Sequence, residues 1–449
     1  MLSTSLYVCT SVASAIYDEI VKTTCLLLAL SRSAHRQLVA AILISSGLGF
    51  FMPGCALKTG KQACHEIAPL YSARSPEFRQ SAGSLLGPNF VSGNSITTLV
   101  NGNQIFPAML GAIRSAKHSV NFETYVFWDG QIGREFTEAL AERAAAGVHV
   151  NAILDAQGTQ KMGIGNLERL RAAGVEVVKY HSIFWLDPRR YNNRSHRKLL
   201  IVDGKIGFIG GAGIADLWTG NAESSQHWRD NHYKVTGPVV AQLQAIFMAN
   251  WLKTRGNVLH GADYFPPLEN TGPYLAQAIR SSARNTNLDL MYLLALASAQ
   301  KTLRIENAYF LPDELVRKEM TAAAKRGVKV EIIVPGKLID QKLVRAASKR
   351  HWPELIKAGI KIYEYQPTMV HVKLIVVDDT FVSVGSGNFD NRSIQLNDEA
   401  NLGVLDRNFA AQQTRLFEMD KKQSDEMTLD KTGGFHPIQQ AAGLASPQL

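Results

Sequence analysis

The last 385 residues of this 449-residue chain contain no cysteine; Cys9, Cys25, Cys55 and Cys64 all fall in the first 64 positions. Disulfides, thiol nucleophiles and cysteine-ligated zinc are therefore excluded from the body of the protein, and the spacing of the four fits no zinc pattern. Elsewhere no His, Asp and Glu gather at ligand spacing, so no metal ion or other cofactor is expected. Long apolar runs are also scarce. Residues 25–30 form an apolar run too short to span a bilayer, and residues 38–52 are fifteen positions without a charge. Charge is modest at 19%, against 46% hydrophobic residues, which excludes a disordered chain. What charge there is leans positive, with a net of +9 and a pI near 9.2. That balance favours an anionic partner: nucleic acid, an anionic membrane or a phosphorylated substrate.

The N-terminal run has three readings. Arg32, His35 and Arg36 precede it, and Met52-Pro53-Gly54-Cys55 follows. A basic region, an apolar region and a small residue before a break have the form of a secretory signal, and Gly54-Cys55 resembles a bacterial lipoprotein cleavage site. Residues 38–57 are also long enough for an uncleaved anchor. We therefore read 1–57 as a leader with a signal, lipoprotein or anchor segment, 58–95 as a proline-punctuated linker, and 426–449 as a polar tail.

One nine-residue stretch occurs twice. Ser195-His196-Arg197-Lys198-Leu199-Leu200-Ile201-Val202-Asp203 returns as Val370-His371-Val372-Lys373-Leu374-Ile375-Val376-Val377-Asp378. Both copies read His, one residue, Lys, four aliphatic residues, Asp. With 12 His, 48 Lys+Arg and 39 Asp+Glu in the chain, chance supplies about 0.1 copy. The aliphatic run reads as a buried strand, whose alternation sets His and Lys on one face. An imidazole is a nucleophile or proton carrier near neutral pH, and a lysine beside it suits a phosphate oxygen. Two copies supply two imidazoles and two ammonium groups around one phosphorus.

The surroundings repeat as well. Ala144-Ala145-Ala146-Gly147-Val148-His149-Val150 matches Ala324-Lys325-Arg326-Gly327-Val328-Lys329-Val330, and Glu123 on one predicted strand corresponds to Glu306 on another. Alternating helix and strand signals in the same order predict a duplicated α/β unit, with domains over 96–265 and 270–425 and the site between them. A helix is predicted over 341–357.

A duplicated His-x-Lys-x4-Asp unit followed each time by a glycine-rich turn resembles the phospholipase D superfamily. Gly385-Ser386-Gly387-Asn388-Phe389-Asp390-Asn391-Arg392-Ser393, Asn397-Asp398-Glu399-Ala400-Asn401, Asn121-Phe122-Glu123-Thr124-Tyr125 and Trp228-Arg229-Asp230 are similar to bacterial cardiolipin synthases. The resemblance implies two tandem phospholipase D-like domains, each a mixed β-sheet flanked by helices, related by a pseudo-two-fold axis. It implies metal-free phosphoryl transfer through a phosphohistidine, with His196 as nucleophile, His371 as acid and base, and Lys198 and Lys373 stabilising charge on phosphorus oxygens. The sequence alone allows the two histidine roles to be exchanged. The resemblance further implies crosswise carboxylate partners, Glu399 for His196 and Asp230 for His371, in the manner of a catalytic triad. Ser386 and Asn388 are expected to bind phosphate oxygens. At the equivalent first-half positions stand Gly211 and Gly213, where backbone N–H groups would have to serve. Asp203 and Asp378 lie seven residues past their histidines, on the opposite strand face, and are expected to bind turn backbone. Glu123 and Glu306 are read as structural at least as readily as catalytic.

The substrates expected are a phosphatidylglycerol-type phospholipid and an alcohol or lipid acceptor at a bacterial membrane surface, reached through the N-terminus and the aromatics Phe184, Trp185 and Tyr191. Phospholipid hydrolysis to phosphatidic acid uses the same residues and is the nearest alternative. A metal-independent nuclease is a further one, disfavoured because the basic residues are spread out rather than interleaved with aromatics along a groove. Nothing in the sequence fixes the oligomeric state.

Overall fold

The computed structural model describes residues 68–181, 192–283 and 285–432. The four cysteines, the apolar runs at 25–30 and 38–52, and Phe184, Trp185 and Tyr191 lie outside the described residues. No helix among the described residues is long and apolar enough to cross a membrane.

The strands of the first half are β1 (Val91–Val100), β2 (Ser119–Thr124), β3 (His149–Asp155), β4 (Glu176–Tyr180), β5 (Lys198–Val202), β6 (Ile206–Gly210) and β7 (Asn231–Thr236). Those of the second are β8 (Tyr274–Ser281), β9 (Thr302–Asn307), β10 (Phe310–Leu311), β11 (Lys329–Pro335), β12 (Lys361–Tyr365), β13 (Lys373–Val377), β14 (Phe381–Gly385), β15 (Phe389–Asp390), β16 (Glu399–Leu405) and β17 (Ser424–Glu426). Helices α1 (Pro76–Leu86), α2 (Asn101–Ser115), α3 (Gln131–Ala145), α4 (Ile164–Ala172) and α5 (Val239–Arg255) precede α6 (Asn287–Ser298), α7 (Glu314–Lys325), α8 (Lys342–Lys349), α9 (Trp352–Lys357), α10 (Asn391–Gln395) and α11 (Arg407–Lys422).

Fifteen strands make one mixed sheet in the order β17-β12-β11-β9-β13-β14-β16-β8-β1-β7-β6-β5-β2-β3-β4. Outward from the β8–β1 seam the two halves run in the same topological order, so a pseudo-two-fold axis passes through that seam. In each half an antiparallel pairing sets the motif strand beside the strand bearing the repeated glutamate: Thr124 opposite Lys198, and Asn307 opposite Lys373.

The motif strands are aliphatic throughout because both their faces are covered. Leu199 and Ile201 pack into a core shared by both halves and roofed by α5 and α11, whereas Leu200 and Val202 face a core built with α2 and α3. Leu374 and Val376 join the shared core, and Ile375 and Val377 meet the core under α6 and α7. Lys198 shares a face with Leu200, so its side chain stands on the side of the sheet that two separate helix groups cover, with room for a cleft between them.

Two expectations are corrected. The stretch 58–95 is not all linker: from residue 68 it is described, and it builds α1 and the start of β1. Ser75 accepts from the Phe78 amide as N-cap, Pro76 opens the helix, and Phe78, Ala82 and Leu86 are buried in the second-half core, Phe78 against Phe381 with ring centroids 5.1 Å apart. The proline that marks a break in sequence here marks a helix start. The single helix over 341–357 is two, α8 and α9, because Pro353 has no N–H to give the Lys349 carbonyl four residues back, whereas in the first turn of α9 none is needed.

Candidate active site

The two histidines line one cavity of about 720 Å³, together with Lys198, Asn388, Asp390 and the aromatics Tyr125, Trp128, Trp218, Trp228 and Tyr309. The backbone brings them there by exchange between halves. The His196 amide donates to the Asp398 carbonyl at 2.9 Å, and the His371 amide donates to the Arg229 carbonyl at 2.7 Å. Each histidine is thus tied to the residue just before a carboxylate of the opposite half.

The side chains follow. His196 Nδ1 lies 2.9 Å from Glu399 Oε1, and His371 Nδ1 lies 2.8 Å from Asp230 Oδ2. All four groups are buried. With Nδ1–H donating to a carboxylate, the Nε2 lone pair is left for chemistry. Burial pushes His196 down to about 4 and holds His371 well below the usual imidazole value, so both rings are neutral at pH 7. Glu399 is held below its ordinary value by His196 and Lys198 against the cost of burial, whereas burial raises Asp230.

The lysine ammonium groups fold back on their own motifs: Lys198 Nζ donates to the His196 carbonyl at 2.7 Å, and Lys373 Nζ to the His371 carbonyl at 2.6 Å. Burial lowers them to about 7 and about 8. Among the described residues no three His, Cys, Asp or Glu side chains are grouped to hold a metal ion; besides these lysines, Lys161, Arg194 and Arg392 bring positive charge to the cavity.

The four residues expected to bind phosphate do not act alike. Asn388 lines the cavity. Ser386 does not: its hydroxyl donates to Glu399 Oε2 at 2.5 Å and accepts from the Ala400 amide at 3.0 Å. Its hydroxyl is thus engaged with the carboxylate, and Ser393, which the sequence reading missed, donates to Glu399 Oε1 at 2.8 Å beside it. The structure also moves Gly211 and Gly213 off the cavity wall. A Cβ at Gly211 would lie 2.3 Å from Asp230 Oδ1, and one at Gly213 would lie 2.7 Å from Val126 Cβ and 3.3 Å from the Trp218 ring. Glycine is favoured there because Asp230 occupies the space beside Gly211 and Val126, with Trp218 behind it, the space beside Gly213. The Gly211 amide is itself bonded to the Asn231 carbonyl. Trp218 Nε1 donates to Asp230 Oδ2 at 2.9 Å, so the indole holds this carboxylate as Ser386 holds the other. Spacing along the chain could not have singled out Trp218; it sits 12 residues before Asp230 in a short 3₁₀ turn.

Asp203 accepts from the amides of Lys117, His118 and Ser119, and Asp378 from those of Gln300, Lys301 and Thr302, each pinning the entry to a neighbouring strand. The repeated glutamates are fully buried beneath the site. Glu123 Oε1 accepts from Ser195 Oγ at 2.5 Å and from Asn250 Nδ2 at 2.7 Å, fixing the residue before His196. Glu306 lies against Asp420 and is pushed well above the carboxylate range by burial and by that neighbour, while Asp420 receives the Arg229 guanidinium at 2.7 Å.

Three comparisons bear on this geometry. Residues 109–251 and 292–421 match the family model described as cardiolipin synthase, phospholipase D-like domain, one segment carrying each motif. A probable cardiolipin synthase of Bacillus subtilis is 33% identical over 344 residues, covering 76% of this chain and 68% of that protein. Cardiolipin synthase A of Pseudomonas putida is 33% identical over 371 residues, covering 80% and 76%. The crystal structure of a phosphatidylserine synthase from Haemophilus influenzae is similar in fold, with a TM-score of 0.64 over 83% of this chain and all of that one, at 14% identity.

Proposed function

Because the chain belongs to the cardiolipin synthase family of phospholipase D-like proteins, we propose that it is a phosphatidyltransferase that joins phosphatidylglycerol-type lipids into cardiolipin at a bacterial membrane. The observation that carries the reading is the pair of crosswise histidine–carboxylate contacts on one cavity, each histidine with its own lysine.

In this reading His196 Nε2 attacks the phosphodiester phosphorus of the donor. The bond from phosphorus to the leaving glycerol oxygen breaks as a P–N bond forms, and His371 delivers the proton that releases free glycerol. His371, now neutral, removes the proton of an acceptor lipid's hydroxyl. That oxygen attacks phosphorus, the P–N bond breaks, and His196 is regenerated. Glu399 and Asp230 orient the rings and offset the positive charge each acquires. Lys198, Lys373 and Asn388 stabilise the phosphorus oxygens as charge grows on them. His371 begins neutral and must be protonated to act as acid. The phosphodiester anion supplies the field that raises its affinity for the proton.

The lysine and histidine values set a pH profile. With a p-nitrophenyl phosphodiester, whose leaving group needs no acid, kcat/KM depends on neutral His196 and charged lysines in the free enzyme. It is expected to fall as pH drops through about 4, where His196 takes up a proton, to be highest between about 5 and 6, and to decline as pH rises through about 7 and 8, where Lys198 and then Lys373 lose theirs. A kcat/KM still rising at pH 9 would remove the lysines from charge stabilisation.

The reading is tested by giving the full chain phosphatidylglycerol vesicles in the presence of a chelator and identifying products. Cardiolipin and glycerol in equal amounts are expected. Phosphatidic acid and glycerol without cardiolipin would make the protein a hydrolase, and cleavage of plasmid DNA in place of lipid a nuclease.

A further inference from the structure

We infer that the two loops leaving the C-terminal ends of β3 and β11 are the surface on which the protein rests against an anionic phospholipid bilayer, with the catalytic cavity opening between them. The loops occupy equivalent places in the two halves: 156–163 leads from β3 into α4, and 336–341 leads from β11 into α8. Both contribute to the wall of the catalytic cavity, through Gln157, Gln160 and Lys161 on one side and Asp340 and Gln341 on the other, where Val344 of α8 joins them.

Large apolar side chains face solvent in these two segments: Leu338 in the second loop, and Ile164 and Leu343 in the first turns of α4 and α8. Ile164 is 70% exposed, Leu338 44% and Leu343 57%. Such residues scattered singly need no explanation, but these three each lie within three residues of a side chain that lines one cavity, Lys161, Asp340 or Gln341, and that is a pattern. Their exposure does not come from loose loops. Met162 and Ile339, their near neighbours in sequence, are buried in the core beneath α2 and α3. Trp128 Nε1 bonds the Gly158 carbonyl at 3.0 Å, and the Tyr309 hydroxyl bonds the Asp340 carboxylate at 2.8 Å. Firmly held backbone thus turns one apolar residue of each pair inward and the next outward.

The charge around them fits an anionic surface. Lys161, Lys337 and Lys342 are exposed on the same two segments, and Asp340 is their one exposed carboxylate. Lys161 Nζ lies 4.3 Å from the centre of the half-buried Trp128 ring, an amphipathic side chain suited to the headgroup layer. Apolar side chains flanked by lysines bind a bilayer by combining acyl burial with attraction to anionic headgroups. This placement would let a phospholipid pass from the bilayer into the cavity without crossing water. The inference rests on the phosphatidyltransferase reading for its choice of partner and goes beyond it in naming the surface.

The test uses the full chain. On adding vesicles containing phosphatidylglycerol, backbone amides of 157–165 and 336–344 should gain protection from hydrogen exchange, and phosphatidylcholine vesicles should protect them less. The combined variant Ile164→Asp, Leu338→Asp and Leu343→Asp alters exposed positions only. It should raise the apparent KM for vesicle phosphatidylglycerol by about tenfold or more, and leave turnover of monomeric dibutyroyl phosphatidylglycerol within about twofold of the parent. Protection confined to other segments, or unchanged vesicle kinetics in the variant, would overturn the inference. If the parent chain turns over neither lipid, the phosphatidyltransferase reading fails, and the exchange pattern still decides whether these loops meet the bilayer.

Discussion

His196→Ala and His371→Ala are each expected to reduce phosphatidyl transfer by about 10⁴-fold or more, with the double variant little worse than either single one. The reason is that neither ring works alone. His196 without a proton carrier would have to expel a glycerol alkoxide, and His371 without a nucleophile has only water to activate. Neither residue holds the fold through its ring. Each ring meets its carboxylate and the aromatics of the cavity wall, Tyr125 for His196 and Trp218, Trp228 and Tyr309 for His371, while the backbone links to Asp398 and Arg229 stay intact in the alanine variants. Unchanged thermal unfolding beside lost turnover would separate chemistry from stability. Additive losses in the double variant would mean two independent sites.

Glu399→Gln and Asp230→Asn are expected to cost about 10²–10⁴-fold in turnover, with KM nearly unchanged, because an amide can present the wrong atom to Nδ1 and cannot offset an imidazolium. The two losses should fall on different steps. Glu399 serves His196, so Glu399→Gln should slow formation of the phosphoenzyme from any substrate. Asp230 serves His371, so Asp230→Asn should matter with glycerol as leaving group and much less with p-nitrophenol, which needs no proton. Single-turnover kinetics with the two leaving groups reads this directly. A loss in Asp230→Asn independent of the leaving group would assign Asp230 to holding structure. Ser386 and Ser393 should act through Glu399, so their alanine variants should resemble a milder Glu399→Gln.

The parts of the site legible in the sequence were those repeated along the chain. His196, Lys198, Asp203 and their second copies announce themselves by number and spacing, and the aliphatic residues between them report strands covered on both faces. What could not be read was whatever depends on contacts made across the halves. Gly211 looks like an anomaly beside Ser386 until Asp230, arriving 19 residues later, is seen to occupy the place of a Cβ. Ser386 looks like a phosphate ligand because it follows the motif, but its hydroxyl is already shared between Glu399 and the Ala400 amide. Strands β7 and β16 begin with polar residues, Asn231 and Glu399, which are buried by the site rather than exposed by alternation. Helix α1 escaped for a related reason: Pro76 and Pro88, which bracket it, mark its boundaries as readily as they mark a loop.

The central claim is that one histidine of one half carries the phosphatidyl group while one histidine of the other half moves the proton. The most direct test is to trap the carrier. His371→Gln, given a ³²P-labelled phosphatidyl substrate with a p-nitrophenol leaving group and quenched in base, should retain label in a single peptide containing His196, and His196→Gln should retain none. Label on His371 in the His196→Gln protein, with none in the His371→Gln protein, would exchange the roles; label in neither, alongside full activity of the parent, would contradict a covalent intermediate at this site.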